Sequence, residues 1–534
     1  MKLSIVQLNP TIGHFSYNSA LISNALESSS SDLLVFSECF LTGYPPKDLL
    51  LSKPFLMSLT DAINELLQVS KLHPNKAILV GTPFLKDTVL FNAVLLIENG
   101  LVLEARFKQI LPEYDVFEEK RFFKEASNTS PIIYKNHRLG VLICEDGWAI
   151  SRNSPTSDLC AQGVDILINI SASPFSEGKH NERLNCFSKQ AKSANCPLVY
   201  VNQIGSNDEL IFDGRSFCLD KEGDVIWEAP AFKDSITEFT FNEGHLDTAS
   251  TTAIKYSNIE LTYQSLVLGL NDYFKKTGFK KAVLGLSGGI DSALTCVLAA
   301  DALGPENVIG LSMPSDYSSQ GSIDDAQVLA DSIGCSLVQI PIHDLFKGYK
   351  VAMPLLLDSQ KRGLAYENIQ ARIRGNIVMT HANSFNALAL ATANKSELAV
   401  GYSTLYGDMC GALMVLGDLS KSKVYELSNF INSKSERIPQ NSITKAPSAE
   451  LRPNQTDQDS LPDYDALDAI IEGLIEKGLS VTDLYKDHPK ETVDKVLKLI
   501  QINEYKRNQA PPVLRVTNKA FGIGRRIPIV KNPG

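Results

Sequence analysis

Leu284-Gly285-Leu286-Ser287-Gly288-Gly289-Ile290-Asp291-Ser292-Ala293 runs from an apolar strand through a Ser/Gly turn into a helix. A turn of this kind aims backbone N–H groups and the positive end of a helix at whatever sits above it, which suits a bound phosphate or pyrophosphate. It contains neither GxxxxGK[ST] nor GxGxxG, so it is neither a Walker loop nor a dinucleotide fingerprint. Working outward, the pattern predicts a helix over 259–274, a strand over 281–286 and a helix over 291–303. Strands over 308–313 and 336–340 follow, separated by a helix over 323–333. This βαβ rhythm predicts a doubly wound parallel sheet.

The half before residue 240 has a different rhythm. Short β-rich runs recur at 32–36, 77–81, 92–97, 139–144, 165–170 and 198–203, with helical spacing at 17–26 and 182–194. Residues 242–258 lose hydrophobic periodicity and read as a connector. The expected division is therefore 1–245, a linker at 246–258, and 259–534; a chain of 534 residues exceeds what one core comfortably supports. The stretch 437–465, rich in Pro, Ser, Gln and Asp, reads as a loop, of the kind that often covers a site.

Composition narrows the function. A formal charge of −10 argues against general nucleic-acid binding, which needs clustered cations. Nine cysteines without CxxC and eight dispersed histidines form no zinc pattern, and they suit a reducing, cytoplasmic setting. No apolar run reaches the roughly 18 residues of a membrane span, so neither nucleic acid nor membrane is an expected partner.

Three N-terminal segments carry chemistry: Ser37-Glu38-Cys39-Phe40-Leu41-Thr42-Gly43-Tyr44, Phe107-Lys108-Gln109-Ile110-Leu111-Pro112, and Cys144-Glu145-Asp146-Gly147-Trp148 after the strand Leu139 to Ile143. A cysteine at a strand end is held rigidly near exposed N–H groups, although a lone cysteine is more often a small buried hydrophobe. Together the segments resemble the nitrilase superfamily, which places Glu, Lys and Cys in this order at neighbouring strand ends. The resemblance implies an α-β-β-α sandwich with Glu38 as general base, Lys108 as the cation for the tetrahedral intermediate, Cys144 as nucleophile and Glu119 in support. The glutamine-specific branch further implies Tyr114, Ser173 and Lys179 as contacts for the glutamine backbone groups. Ser37 stands where that family commonly has proline.

The Ser287 turn matches SGGxDS, the pyrophosphate loop of N-type ATP pyrophosphatases, an adenine-nucleotide α-hydrolase fold that yields AMP and pyrophosphate. By that resemblance Gly285, Leu286, Ser287, Gly288, Gly289, Ile290, Asp291 and Ser292 bind ATP. Tyr366-Glu367-Asn368-Ile369-Gln370-Ala371-Arg372-Ile373-Arg374, Thr392-Ala393-Asn394-Lys395-Ser396-Glu397-Leu398-Ala399-Val400-Gly401-Tyr402 and Leu405-Tyr406-Gly407-Asp408 are similar to the NAD synthetase family. This implies Thr392 on ATP; Tyr366, Asn368, Glu397 and Lys506 on deamido-NAD; and Glu397 and Asp408 as Mg²⁺ ligands, since that ion prefers hard oxygen donors beside phosphate. Lys421 and Lys423 lie either near phosphate or on a solvated face. Segment 447–459 also matches and is expected to respond to substrate.

The resemblance spans nearly the whole chain. It implies an amidotransferase in which ammonia cut from glutamine in the first half reaches, through an internal channel, an adenylated carboxylate in the second. Deamido-NAD, ATP and glutamine are the expected substrates, with Mg²⁺ as cofactor and a homodimer or larger assembly. Other amidotransferases with this ATP loop fit poorly: the asparagine type uses an N-terminal cysteine, whereas residue 2 is lysine, and the GMP type carries a glutaminase with a catalytic histidine. A nucleotide-binding sensor with decayed sites would lack the catalytic residue types that stand here.

Overall fold

The structure, a computed structural model, describes residues 1–127, 129–151, 153–247, 255–357 and 363–531. It divides into two units, Met1–Leu261 and Thr262–Gly534. The expected linker 246–258 has its ends in regular structure, in the strand His245–Asp247 and the helix Asn258–Thr277, and residues 248–254 lie outside the described residues.

The first unit is built on two sheets. Strands β1 (Lys2–Gln7), β2 (Leu33–Val35), β3 (Ala77–Lys86), β4 (Val89–Glu98), β5 (Leu101–Phe107), β14 (Ser235–Asn242) and β15 (His245–Asp247) form one, in the order β15-β14-β1-β2-β3-β4-β5. Strands β6 (Ile132–Tyr134), β7 (His137–Ile143), β8 (Ile166–Ser171), β9 (Leu198–Asn202), β12 (Phe217–Leu219) and β13 (Val225–Glu228) form the other, and β10 (Ile204–Asn207) and β11 (Leu210–Asp213) make a hairpin. Period-two alternation sorts side chains between layers. Leu3, Ile5, Leu79, Leu139, Val141, Ile166 and Ile168 meet between the sheets. Val6, Ile78 and Val80 point the other way, toward helices α1 (Phe15–Ser28) and α2 (Lys53–Leu72). Leu142 and Leu167 face the helix α5 (Lys179–Ala194), which follows the short helices α3 (Glu145–Trp148) and α4 (Pro155–Ala161). Four layers result, helix on sheet on sheet on helix, the α-β-β-α sandwich.

Helix α2 lies outside the helical spans read from the sequence. Its signals are nonetheless local: Pro54 in the first turn and Leu59, Ala62, Ile63 and Leu66 on one buried face. Strand β15 likewise lies in the stretch read as connector. It pairs with β14, so hydrogen bonding supplies an order that periodicity did not announce.

The second unit has one parallel sheet. After α6 (Asn258–Thr277) come β16 (Lys281–Gly285), α7 (Ile290–Leu303), β17 (Val308–Ser312), α8 (Gln320–Ile333), β18 (Ser336–Gln339), α9 (His343–Ala352), α10 (Leu364–Phe385), β19 (Ala387–Ala391), α11 (Lys395–Val400) and β20 (Leu413–Met414). The order is β18-β17-β16-β19-β20, every pair parallel. Strand order reverses between β16 and β19, and there the carboxyl ends of adjacent strands part to leave a crevice. Helix α12 (Lys421–Lys434) follows. The stretch 437–465, read as a loop, contains α13 (Gln440–Thr444) and a 3₁₀ turn at Asp457–Asp459 before α14 (Tyr464–Ile471) begins.

Two candidate active sites

Cys144 ends β7 and opens α3. Its backbone, at φ 48° and ψ −97°, occupies a region that L-residues rarely adopt, and such strain persists only where the surroundings impose it. Cys144 N–H donates to Ile170 O at 2.8 Å, and Gly147 N–H donates to Cys144 O at 3.0 Å. Gly147 admits no side chain, since a Cβ there would lie 2.5 Å from Asn169 Oδ1 and 2.6 Å from the Phe187 ring. Asp146, buried beside the cysteine, ties this turn to the lysine segment by accepting from Gln109 N–H at 3.0 Å and Ile110 N–H at 2.8 Å. Burial pushes its carboxyl up to about 7, against those N–H donors and the charge of Lys108.

Lys108 is fully buried between two carboxylates. Its Nζ donates to Glu38 Oε1 at 2.7 Å and to Glu119 Oε1 at 2.8 Å. Burial disfavours the ammonium, but Glu119 and Glu38 outweigh it and hold Lys108 well above the ordinary lysine range. Glu38 is placed by two further donors, Asn92 Nδ2 at 2.8 Å and Ala172 N–H at 3.0 Å. Glu119 also accepts from Tyr44 Oη at 2.9 Å, and burial raises its carboxyl while Lys108 opposes the rise. The sequence taken alone made Glu119 a solvated charge; the structure buries it. Burial likewise lifts the Cys144 thiol well above its usual range, with Glu38 adding to the shift and Lys108 opposing it. Cys144, Glu38, Lys108 and Glu119 thus share one electrostatic environment.

The three residues expected around glutamine are differently placed. Tyr114 is exposed, and its hydroxyl donates to Glu145 Oε2 at 2.9 Å, one residue past the thiol. Lys179 pairs with Glu182 at 3.0 Å and lies 4.3 Å from the Trp148 ring centroid at the other end of α3. Ser173 is buried: its N–H donates to Asn202 Oδ1 at 2.8 Å, and its Oγ accepts from Arg183 Nε at 3.1 Å. Arg183, itself fully buried, is neutralised by Asp213 at 2.8 Å. Asn92, Tyr44, Asp146 and the Arg183–Asp213 pair were missed in sequence. Asn92 carried a signal, a polar side chain inside the apolar run of β4.

In the second unit a cavity of about 320 Å³ opens at the switch point. Gly285, Leu286, Ser287, Gly289, Ile290, Asp291 and Ser292 line it from β16 and α7, Thr392 from the end of β19, and Glu397 and Asp408 beyond. Gly288 sits behind the turn at φ 78°, where a Cβ would come within 2.2 Å of Ser322 O, so only glycine closes the loop against α8. Ser442 Oγ donates to Gly288 O at 2.8 Å, and Ser448, Glu450 and Asp457 also line the cavity, so the stretch 437–465 walls the site.

Lys421 is buried, which removes the solvated-face alternative. Its Nζ lies 2.5 Å from Asp291 Oδ2 and 3.8 Å from Glu397 Oε1. Burial raises Glu397 well above the ordinary carboxylate range, with Asp291 adding to the effect and Lys421 opposing it. Asn394 caps α11 in a reciprocal capping box with Glu397 and donates from Nδ2 to Asp291 Oδ1 at 2.9 Å, fixing both carboxylates. Asp408 accepts from Thr404 N–H at 2.6 Å, and burial pushes its carboxyl up to about 6. Thr404 Oγ1 donates to Asn368 Oδ1 at 2.9 Å, and Lys506 Nζ donates to Gly401 O at 2.6 Å and Ser403 O at 2.8 Å. Asn368 and Lys506 are therefore joined to the cavity wall through the segment 401–404. Tyr366 is buried with its hydroxyl 3.0 Å from that of Tyr317, and it does not line the cavity. Arg374, which does, donates from Nε to Met313 O at 2.9 Å; it stands in the motif 366–374, where no role was assigned to it.

Among the described residues, no group of three or more His, Cys, Asp or Glu side chains could hold a metal ion, and no helix is long and apolar enough to cross a membrane. A buried, strained thiol beside a Glu–Lys–Glu network, and a Ser/Gly turn at the switch point of a parallel sheet, define a carbon–nitrogen hydrolase joined to a nucleotide-dependent synthase. The carbon-nitrogen hydrolase family profile matches residues 2–249, and the NAD synthase profile matches 262–510. The glutamine-dependent NAD(+) synthetase of Synechocystis is 44% identical over 99% of this chain and 98% of its own, and that of Thermotoga maritima is 38% identical over the same shares. A solved structure of the Acinetobacter baumannii glutamine-dependent NAD+ synthetase with ADP is 36% identical, with a TM-score of 0.79 over 99% of this chain and 98% of that one. The chain belongs to the glutamine-dependent NAD(+) synthetase family and is an enzyme of two parts, a nitrilase-type glutaminase and an NAD synthase.

Proposed function

We propose that the enzyme moves the amide nitrogen of glutamine onto the nicotinate carboxylate of deamido-NAD, with ATP cleaved to AMP and pyrophosphate. The observation that carries this reading is the presence, on one chain, of the Cys144–Glu38–Lys108–Glu119 constellation and the Ser287–Ser292 turn at the cavity.

Glu38 takes the Cys144 thiol proton, and the sulfur attacks the glutamine amide carbon. Lys108, kept charged by its two carboxylates, balances the negative charge that develops on the amide oxygen. Glu38 returns the proton to the leaving nitrogen, ammonia departs and a thioester remains on Cys144. Water deprotonated by Glu38 attacks the thioester carbon, the C–S bond breaks to release glutamate, and Glu38 returns the proton to the Cys144 sulfur. Tyr114, Ser173 and Lys179 take the glutamine backbone groups, Ser173 acting from a buried position set by Arg183.

In the second unit the nicotinate carboxylate attacks the α-phosphorus of ATP, and the N–H groups of the Ser287–Ser292 turn receive pyrophosphate. Thr392 contacts ATP, while Asn368, Glu397 and Lys506 hold the dinucleotide, and Tyr366 supports them from outside the cavity lining. Glu397 and Asp408 fit Mg²⁺, being oxygen donors on the cavity wall with too few protein ligands to close a shell without substrate phosphates. When bound, that ion supplies neutralisation of phosphate charge. Ammonia then displaces AMP from the acyl adenylate. A cytoplasmic setting, in keeping with nine free cysteines, and self-association complete the proposal.

The test is NAD formation from deamido-NAD, ATP and Mg²⁺ with glutamine or ammonium as donor, for wild type and Cys144→Ala. The variant is expected to lose only the glutamine reaction, with AMP appearing alongside NAD. Failure of both enzymes with both donors would overturn the acceptor assignment.

A further inference from the structure

Cys296 lies midway along α7, the helix that begins in the Ser287–Ser292 turn, and is fully buried. Cys335 follows α8 directly, after the left-handed Gly334 that ends the helix, and is partly exposed. Their sulfurs stand 3.8 Å apart across 39 residues of chain. Neither thiol is used in the reaction derived above. A disulfide needs about 2.05 Å between sulfurs, so the gap to be closed is about 1.8 Å. The two elements that would be joined both reach the pyrophosphate turn: α7 begins in it, and the first turn of α8, at the opposite end of that helix from Cys335, abuts Gly288 closely enough to forbid a Cβ there. We propose that Cys296 and Cys335 form a reversible disulfide when a peroxide reaches Cys335, and that the closure of α7 onto the end of α8 weakens ATP binding.

The contact with the Cys296 sulfur holds the Cys335 thiol below its ordinary range, while its partial exposure admits the oxidant; Cys296, by contrast, is raised. The accessible Cys335 sulfur is therefore the one that meets the oxidant. That sulfur attacks one peroxide oxygen, the O–O bond breaks, and the hydroxide released takes the thiol proton to leave as water. Cys335 is then a sulfenic acid. The Cys296 sulfur attacks the Cys335 sulfur, the S–O bond breaks, and the departing hydroxide carries off the Cys296 proton as a second water. Two thiols and one peroxide give one disulfide and two waters. A dithiol reductant reverses the bond by exchange.

The experiment uses the full chain with Cys144→Ala, so that oxidation of the proposed nucleophile cannot contribute, and ammonium as nitrogen donor. The protein is treated with hydrogen peroxide and digested without reduction, and its peptides are mapped by mass spectrometry. In parallel, KM for ATP is measured before oxidation, after oxidation and after dithiothreitol. A Cys296–Cys335 cross-linked peptide is expected, with KM for ATP raised on oxidation and restored by dithiothreitol. Cys335→Ser, and separately Cys296→Ala, should lose the cross-link and keep the unoxidised KM through peroxide treatment. Absence of the cross-linked peptide overturns the proposal, and so does a cross-link that leaves KM unchanged. Because peptide mapping does not depend on which carboxylate is adenylated, failure of the disulfide is distinguishable from failure of the synthetase reading.

Discussion

Gly81→Ala is the most exacting test of how Glu38 is positioned. Gly81 lies in β3 beside the segment that carries the base. A Cβ there would stand 2.4 Å from Ser37 O, 2.6 Å from Cys39 N and 2.6 Å from Glu38 Cα, all of them backbone atoms. Ordinary contact begins near 3.4 Å, so segment 37–39 must recede by about 1 Å, the difference between 3.4 and 2.4 Å. Glu38 is held by hydrogen bonds of 2.7, 2.8 and 3.0 Å to Lys108, Asn92 and Ala172, and a recession of that size breaks at least one of them. Misplacement of a catalytic group by about 1 Å costs about 100-fold in rate, and overpacking a filled core costs about 1–3 kcal/mol. The assay is glutamate release together with NAD formation from glutamine and from ammonium, with thermal unfolding followed alongside. Glutamine-driven turnover should fall by about 100-fold, while the ammonium-driven rate stays near wild type. A folded Gly81→Ala enzyme with an unchanged glutamine-driven rate would refute the argument that β3 fixes the base.

Lys421→Met leaves Asp291 and Glu397 facing each other without their shared cation. Loss of a buried partner costs about 3–5 kcal/mol, so unfolding should shift to lower temperature and synthesis should fall with both donors, while glutamate release persists; intact ammonium-driven synthesis would show that the cation is dispensable. Asp146 predicts a pH dependence of stability. Its folded carboxyl titrates near 7, raised by burial above the unfolded value, so the folded state binds the extra proton and stability is lost as pH rises toward 7. The slope approaches about 1.4 kcal/mol per pH unit. Asp146→Asn keeps an oxygen for the Gln109 and Ile110 N–H groups and should flatten that slope between pH 5 and 7 in thermal melts; an unaltered slope would assign it to another group.

Much of the architecture was legible because it rests on local chemistry. The Ser/Gly turn after an apolar run announced a parallel sheet, and the periodicity of 308–340 supplied the neighbouring strands. Helix α2 showed the limit of that reading: its buried stripe was present, but a helix on the outer layer needs no special residue to mark it. β15 had still less to offer, since a three-residue strand is specified by its partner β14. Cys144, Glu38 and Lys108 were readable as residue types in a chain order.

What the order could not supply was who touches whom. Asn92 lies 54 residues from Glu38, yet it sets that carboxylate. Lys421 is 130 residues from Asp291, yet it neutralises it. Neither partnership is written in the local sequence; each forms only when folding removes water from around the pair. Burial then makes each lone charge costly and each partner obligatory. By itself the sequence determined the two sheet systems, the Ser/Gly turn and the residue types of the two candidate sites, because strand alternation, turn chemistry and functional groups are properties of short segments. The tertiary structure decided which carboxylates share a cation, that Cys144 sits in a strained conformation, that Gly81 and Gly288 admit no side chain, and that Cys296 faces Cys335. These depend on distances between segments far apart in the chain, which packing alone sets.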